Sequence, residues 1–314
     1  MRIIKNLESI KERYKYPILT IGNFDGFHLG HQAIFREMVK RAGEMKGTTV
    51  AFTFEPHPLK VIAPERPLRL LNTFEEKVRL IKAEGVDILL CPSFTKGFAD
   101  QGPRDFVKDV LYERLGVSEV FVGYDYAFGK DREGTVGSLK EMGAEFGFKV
   151  AVIDPVRIGD EVVSSSRIRE LLSEGRVREA VIFLGRPFSI EGTVIKGEGR
   201  GGSLLGFPTA NIDTKNPDLL IPKGGIYGVS VYYNNRTFQG AANIGYKPTF
   251  RNSNFSCEVH ILDFREEILG RSLRIDFIER IRDEKAFPNP EALSEQIKRD
   301  IKTVRNIFKE RREL

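Results

Sequence analysis

Thr20-Ile21-Gly22-Asn23-Phe24-Asp25-Gly26-Phe27-His28-Leu29-Gly30-His31 is the stretch whose reading decides the fold. Before it, Pro17 to Ile21 is an apolar run that reads as a short buried strand. After it, Ile34, Met38 and Val39 fall at helical spacing, which predicts a helix beginning near Gly30. A strand, a glycine-rich turn and a helix N-terminus together make an anion site, because free backbone N–H groups and the positive dipole end point outward. His28 and His31 are three apart and share one face of the first helical turn. From there two imidazoles can donate hydrogen bonds to a phosphoryl group as charge builds on it. Polar residues also stand at helix starts for capping alone, so both readings are open at this point. No Gly-Lys-Ser/Thr follows the glycines, which excludes a P-loop.

The stretch resembles the His-x-Gly-His signature of nucleotidyltransferases and of one class of aminoacyl-tRNA synthetases. With its flanking Gly-Asn-Phe-Asp-Gly it resembles, more narrowly, the bacterial bifunctional flavin enzymes in which a riboflavin kinase is joined to an FMN adenylyltransferase.

Composition leaves room for such a protein. A length of 314 residues favours two domains. The net charge of +5 fits phosphate-bearing substrates, yet no basic tail or Lys/Arg run argues for nucleic acid. Cys91 and Cys257 are the two cysteines, too far apart for a metal or redox spacing. Met1 to Lys15 is charged and lacks the apolar core of a secretory signal, and no apolar run is long enough to span a membrane. The expected location is the cytoplasm.

Working outward from the opening stretch, strands are expected at Thr48–Phe54, Val86–Cys91, Glu119–Gly123 and Lys149–Asp154. Helices are expected at Thr73–Glu84, opened by the capping pair Thr73 and Glu76, and at Pro103–Leu115 and Val136–Gly147. This alternation predicts a Rossmann-like parallel sheet with helices on both faces, its ligand outside the carboxyl ends of the strands. The opening stretch, the turn Glu55-Pro56-His57-Pro58 and the aromatic loop Gly123 to Gly134 all lie at those ends and are expected to meet in one cleft. His57, rigid between two prolines, suits a structural role as well as ligand contact.

Val163-Ser164-Ser165-Ser166-Arg167-Ile168-Arg169 opens a further helix whose apolar face is Ile168, Leu171 and Leu172. The serines can cap it. Arg167 and Arg169 stand where the helix dipole disfavours cations, an arrangement that an anion between them would explain and that simple solvation also permits. The run resembles the Ile-Ser-Ser-Thr-x-Ile-Arg motif of the flavin adenylyltransferases, with Val163 and Ser166 as conservative departures.

A short helix from Arg176 ends at Leu184, and the boundary is placed there: residues 1–184 as the FMN adenylyltransferase domain and 185–314 as the riboflavin kinase domain. Beyond it, strands are expected at Ile190–Lys196, Gly228–Tyr233, Phe238–Ile244, Phe255–Phe264 and Leu273–Arg282, with a hairpin turn at Asn234-Asn235. They predict a small antiparallel β-barrel closed by an amphipathic C-terminal helix from Pro290. The glycine loop Gly197 to Gly206 has the backbone freedom to wrap phosphates. Its continuation Phe207-Pro208-Thr209-Ala210-Asn211 resembles the riboflavin kinase signature, and Thr209 and Asn211, on one side of an extended segment, can help hold Mg²⁺. Glu258 and His260 share a strand face, and Glu258 can serve as general base for a hydroxyl nucleophile. Asn243 to Phe250 resembles the family's Asn-Ile-Gly-x-Arg-Pro-Thr, with Lys247 for Arg.

The resemblance covers almost the whole chain. It implies ATP-dependent phosphorylation of riboflavin to FMN in the second half, with Glu258 as base and Mg²⁺ on Thr209 and Asn211. It implies adenylylation of FMN to FAD in the first half, with His28, His31 and Arg167 as catalytic residues. Nucleotide contacts would come from Gly22, Asn23, Phe24, Asp25, Gly30, Ser164, Ser165, Ser166 and Arg169, and in the kinase from Gly197, Gly199, Gly201 and Gly206. Flavin contacts would come from Pro56, His57, Pro58, Tyr124, Asp125, Tyr126, Phe128 and Arg132. Two rivals are carried: a single competent domain or another phosphorylated acceptor, and a nucleic-acid-binding protein with the barrel as platform. The separate Thr209, Asn211 and Glu258 set weighs against the first. The absence of a basic stripe and of a Lys-Met-Ser-Lys-Ser loop weighs against the second.

Overall fold

A computed structural model describes residues 1–197, 206–246 and 255–311. The chain divides into two compact units, Met1–Ser165 and Ser166–Leu314.

The first unit holds a six-stranded, all-parallel sheet. Its elements run β1 (Arg2–Ile4), β2 (Pro17–Ile21), α1 (Leu29–Met45), β3 (Thr48–Phe52), α2 (Pro58–Ile62), α3 (Phe74–Ala83), β4 (Ile88–Leu90), α4 (Lys96–Ala99) and α5 (Pro103–Asp105). They continue through β5 (Glu119–Gly123), a small hairpin of β6 (Ala127–Phe128) and β7 (Gly134–Thr135), α6 (Val136–Phe146), β8 (Lys149–Ile153), and a second hairpin of β9 (Arg157–Ile158) and β10 (Glu161–Val162). The strand order is β1-β4-β3-β2-β5-β8. Side chains alternate across the sheet as the period of two demands. Leu19, Ile21, Val50, Phe52, Val120 and Val122 form one core with Val107, Leu111 and Leu139, whereas Ile18, Ala51, Leu89 and Phe121 form another with Phe35, Met38 and Ile81. The Rossmann-like expectation is met, and β1 is a strand that the sequence reading passed over.

The predicted helix Pro103–Leu115 takes another form. After α5 the turns from Phe106 to Arg114 are π-helical. The Leu115 N–H reaches back to the Val110 carbonyl at 3.1 Å, five residues rather than four. Apolar spacing does not separate the two forms, since Phe106, Val107, Val110 and Leu111 are buried either way.

The second unit holds α7 (Ser165–Ser173, all but its first residue), α8 (Val177–Leu184) and a closed six-stranded barrel followed by α9 (Pro290–Glu310). The barrel order is β11 (Phe188–Ile195), β12 (Ala210–Asp213), β15 (Phe255–Ile261), β14 (Arg236–Tyr246), β13 (Gly225–Tyr233) and β16 (Ser272–Arg282), every pair antiparallel. Asn234 and Asn235 have φ of 48° and 60°, the left-handed pair that a two-residue hairpin requires. Five barrel strands are the predicted ones. The sixth, β12, is too short to show a period, yet it joins β11 to β15 and closes the barrel. Among the described residues no helix is long and apolar enough to cross a membrane.

Candidate functional sites

In the first unit the chain leaves β2 toward β3 and β4 on one side, then returns to β5 and β8 on the other. The crevice outside the carboxyl ends of β2 and β5 is therefore the topological switch point, where such sheets bind ligands. The opening stretch leaves β2 there. His28 caps α1, its Nδ1 accepting the His31 N–H at 3.3 Å. That bond leaves the other ring nitrogen, Nε2, as the hydrogen-bond donor. The His31 ring stacks on His28, with centroids 3.7 Å apart and planes within 17°. Gly30 permits this pair: a Cβ there would stand 3.1 Å from the His28 ring. At Gly22 a Cβ would meet the Phe24 ring at 2.7 Å.

The remaining residues of the loop hold it in shape. Phe24 is buried, edge-on to His31 and Phe35. Asp25 is buried too; its Oδ1 accepts the Leu71 N–H at 2.9 Å, and its backbone carbonyl accepts the Ser165 hydroxyl at 2.8 Å. Asn72 Oδ1 accepts the Gly26 N–H at 2.6 Å. Lys77 lies buried close by, its ammonium on the Phe54 carbonyl. Burial pulls its pKa down, opposed by the charges of Glu55, Asp25 and Cys91. The sequence reading held no signal for Lys77 beyond its place on a predicted helix.

A cleft of about 680 Å³ opens at the switch point, a size suited to a cofactor-sized ligand. Of the predicted residues, Gly22, Asn23, Pro58, Asp125, Tyr126, Phe128 and Arg132 line it. His57 instead caps α2 through Nδ1, which accepts the Leu59 N–H at 3.2 Å, and Tyr124 is exposed. Pro56 follows a cis peptide bond in the same turn and is exposed. The cleft also has an aromatic wall that the sequence reading missed. Phe54, Phe94 and Phe98 meet at centroid distances of 5.1 to 5.7 Å, and Phe98 continues to Phe106, 6.0 Å away. Phe106 continues to Phe128, 6.0 Å away, on which Tyr126 stacks, and burial raises the Tyr126 phenol pKa. Phe54, the Phe94–Phe98 pair and Phe106 come from three segments, so no local motif joins them all.

Ser164 and Ser165 belong to the first unit, while Ser166, Arg167 and Arg169 begin the second. Arg167 Nη1 bonds Glu170 at 2.7 Å, so this predicted anion ligand is held by a carboxylate one turn on.

In the second unit one cross-strand row carries the candidate chemistry. Asn211 pairs with Glu258, Glu258 with Asn243, Asn243 with Ile226, and Ile226 with Arg282. Directly paired residues share a face. Their strand neighbours Ala210, Ile212, Cys257, Val259, Ala242, Ile244 and Tyr227 are buried inside, so the row lies on the outer face of the barrel. Burial lifts the Cys257 thiol pKa to about 12, as a core residue requires. Asn243 Oδ1 is buried and has no hydrogen-bond partner among the described residues. It lines a cavity of about 590 Å³ with Ile226, Arg282, Lys285, Phe287 and Leu293. At the other end of the row Gly197 touches Asn211, where a Cβ would stand 2.2 Å from the amide nitrogen. His260 Nδ1 lies 2.8 Å from the Pro208 carbonyl. Thr209 and Gly206 are exposed. Gly199, Gly201 and Lys247 lie outside the described residues.

Comparison with known proteins adds a separate line of support. The family model for FAD synthetase matches residues 10–167, and that for riboflavin kinase matches residues 184–308. Curated relatives called bifunctional riboflavin kinase/FMN adenylyltransferase include one from Buchnera aphidicola, 36% identical over 98% of both chains. Others are from Listeria monocytogenes, 38% identical over 93% of this chain and 92% of that one, and Escherichia coli, 33% identical over 98% of both. A crystal structure from Streptococcus pneumoniae, described as a macrolide-efflux protein, superposes with a TM-score of 0.89 at 31% identity, covering 97% of this chain and 98% of that one.

Proposed function

The chain belongs to the bifunctional riboflavin kinase/FMN adenylyltransferase family, and from that premise we propose how its residues divide two reactions between residues 1–184 and 185–314. The protein phosphorylates riboflavin to FMN and adenylylates FMN to FAD, with ATP as co-substrate in both steps. The observation that supports the reading is that Asn211, Glu258 and Asn243 fall in one cross-strand row on the barrel, in a different unit from the His28–His31 pair.

In the kinase, the riboflavin ring occupies the cavity beside Asn243 and Arg282, and the terminal ribityl hydroxyl lies at Glu258. Glu258 and Arg282 stand three strands apart along the row, with Asn243 and Ile226 between them. The unmatched Asn243 Oδ1 accepts a ligand N–H or O–H. Glu258 takes the hydroxyl proton as the oxygen attacks the γ-phosphorus, and ADP leaves. The hydroxyl of Thr209 and the amide oxygen of Asn211 are hard donors that suit Mg²⁺, with phosphate and water completing its shell. When bound, Mg²⁺ neutralises charge on the phosphates. Gly197 and Gly206 border the nucleotide, and the glycine-loop motif carries the same assignment to Gly199 and Gly201.

In the adenylyltransferase, the isoalloxazine enters the cleft lined by Phe54, Phe98, Tyr126 and Arg132. The FMN phosphate, already ionised, attacks the α-phosphorus, and pyrophosphate leaves without a covalent enzyme intermediate. His28 Nε2–H and the His31 ring stabilise charge on the α-phosphate. Gly22 and Asn23 border the nucleotide, while Asp25 and Ser165 hold the loop. For Ser166, Arg167 and Arg169 the proposed contact with pyrophosphate rests on the serine–arginine motif, and Arg167 must release Glu170 to make it. We place the protein in the cytoplasm and assign it no nucleic-acid partner.

The test is to incubate the purified chain with riboflavin, ATP and Mg²⁺ and separate the flavins by chromatography. Glu258→Gln abolishes FMN formation while supplied FMN still becomes FAD; His31→Ala stops at FMN. Equal loss of both activities in Glu258→Gln, or undiminished FAD from His31→Ala, overturns the assignment.

A further inference from the structure

The cross-strand row ends at Arg282, and what holds Arg282 lies outside the cavity it lines. Asp300 of α9 is buried, and its carboxylate grips the guanidinium as a fork: Nε at 3.0 and 3.1 Å and Nη2 at 2.6 Å. The third side of the guanidinium is taken by Nη1, which donates to the Asp283 carbonyl at 2.9 Å. The same Asp300 accepts Gln296 Nε2 at 2.9 Å, and Gln296 Oε1 accepts Lys285 Nζ at 2.9 Å. Lys285 and Arg282 both lie over the Phe287 ring, 5.1 and 5.9 Å from its centroid. One carboxylate therefore fixes three lining residues of the cavity: Arg282 directly, Lys285 through Gln296, and Phe287 through both cations.

A guanidinium has five N–H donors in one plane. Among the described residues, Asp300 and Asp283 occupy one on each nitrogen, which leaves one on Nη1 and one on Nη2. With two edges clamped the plane cannot swivel, so the direction of the remaining pair is set before a ligand arrives. Side-chain exposures of 19% for Arg282 and 7% for Asp300 keep water from loosening the pair.

We propose that Asp300 is a positioning residue for riboflavin, acting from α9 by clamping Arg282 so that its two remaining N–H groups meet carbonyl oxygens of the flavin ring. This rests on the reading of the cavity as the flavin pocket of the kinase. Asp300 touches no substrate itself. It sets the affinity for the flavin and leaves phosphoryl transfer and nucleotide binding alone, because Glu258, Asn211 and Gly197 stand at the other end of the row.

The test uses the full chain, whose FMN adenylylation serves as an internal control. Asp300→Asn keeps the shape and Gln296 as a neighbour but removes the charge. It is expected to raise the riboflavin KM about tenfold or more, with kcat and the KM for MgATP within about twofold and FMN adenylylation unchanged. Asp300→Glu, which keeps the charge, recovers part of the loss. A second measurement guards against unfolding: direct riboflavin binding, read by quenching of its fluorescence, weakens by the same factor in Asp300→Asn. A riboflavin KM within about twofold of wild type, or a fall in kcat with riboflavin affinity intact, overturns the proposal; so does a parallel loss of riboflavin and MgATP affinity, the mark of a merely structural role. Phe287→Ala separates the two layers. If it leaves riboflavin affinity unchanged, the pocket reading fails; if it weakens binding and Asp300→Asn does not, the pocket stands and the positioning role falls.

Discussion

Gly197→Ala is expected to disable the kinase while leaving the protein as stable as before. The new Cβ would stand 2.2 Å from the Asn211 amide nitrogen and 2.8 Å from its Cγ. An ordinary carbon contact needs about 3.4 Å or more, so the amide must retreat by about 1 Å. It does so by rotating a half-buried side chain, which costs little folding free energy. Gly197 is not among the residues with positive φ, so alanine also narrows the unfolded ensemble, worth about 0.4–1 kcal/mol in favour of the variant. Function has no such tolerance. Asn211 sits in register beside Glu258, and a displacement of about 1 Å in a positioning group can cost about 100-fold in rate, or about 2.7 kcal/mol of transition-state stabilisation. The assay follows riboflavin conversion to FMN, with FMN adenylylation and thermal denaturation measured on the same sample. Asn211→Ala supplies the second arm of a double-mutant cycle: Gly197→Ala should add almost nothing once the amide is gone. A kinase rate within about threefold of wild type refutes the reasoning, and so would fully additive losses in the double variant.

Two further outcomes follow from the first unit. Gly26→Ala puts a Cβ 2.6 Å from Leu71 at a φ of +79°, so it should lose about 2–3 kcal/mol by denaturant unfolding and weaken FMN adenylylation while the kinase persists. Glu119 is buried in a fork with Arg41 and accepts the Tyr16 hydroxyl at 2.7 Å, and the Arg41 bond holds its carboxyl pKa below the ordinary value of 4.5. Its contribution to stability is therefore full above pH 4.5 and is lost as pH falls through the lower folded value. Glu119→Gln should lose about 1–2 kcal/mol near neutrality and show a flatter acid limb in a thermal-melt series, whereas an acid limb as steep as wild type would exclude this pair as its source.

Motifs of contiguous residues were legible because each one contains its own cause. Pro17–Ile21 must be a buried strand, and Gly22 to His31 must turn into a helix whose start His28 caps. Asn234-Asn235 must make a tight hairpin, and Gly147 must end a helix in the left-handed region. The parallel sheet, the barrel and the family membership all follow from such local signals taken in order along the chain.

Sites assembled from several segments were not legible in this way. Phe54, Phe94, Phe98 and Phe106 each read as an ordinary core residue, and only the approach of the segment after β3, the chain around α4 and the π-helical turns makes them one wall. His57, open in the sequence between a structural role and ligand contact, caps a helix, and Asp25, expected at the nucleotide site, is tied to Leu71. Asn211, Glu258, Asn243 and Arg282 span some seventy residues of sequence. Strand register alone sets them in a row, and a helix still further along supplies the carboxylate that holds the last of them. Local sequence determines which backbone conformations are cheap; which side chains end up facing one another depends on long-range pairing, which no local preference encodes.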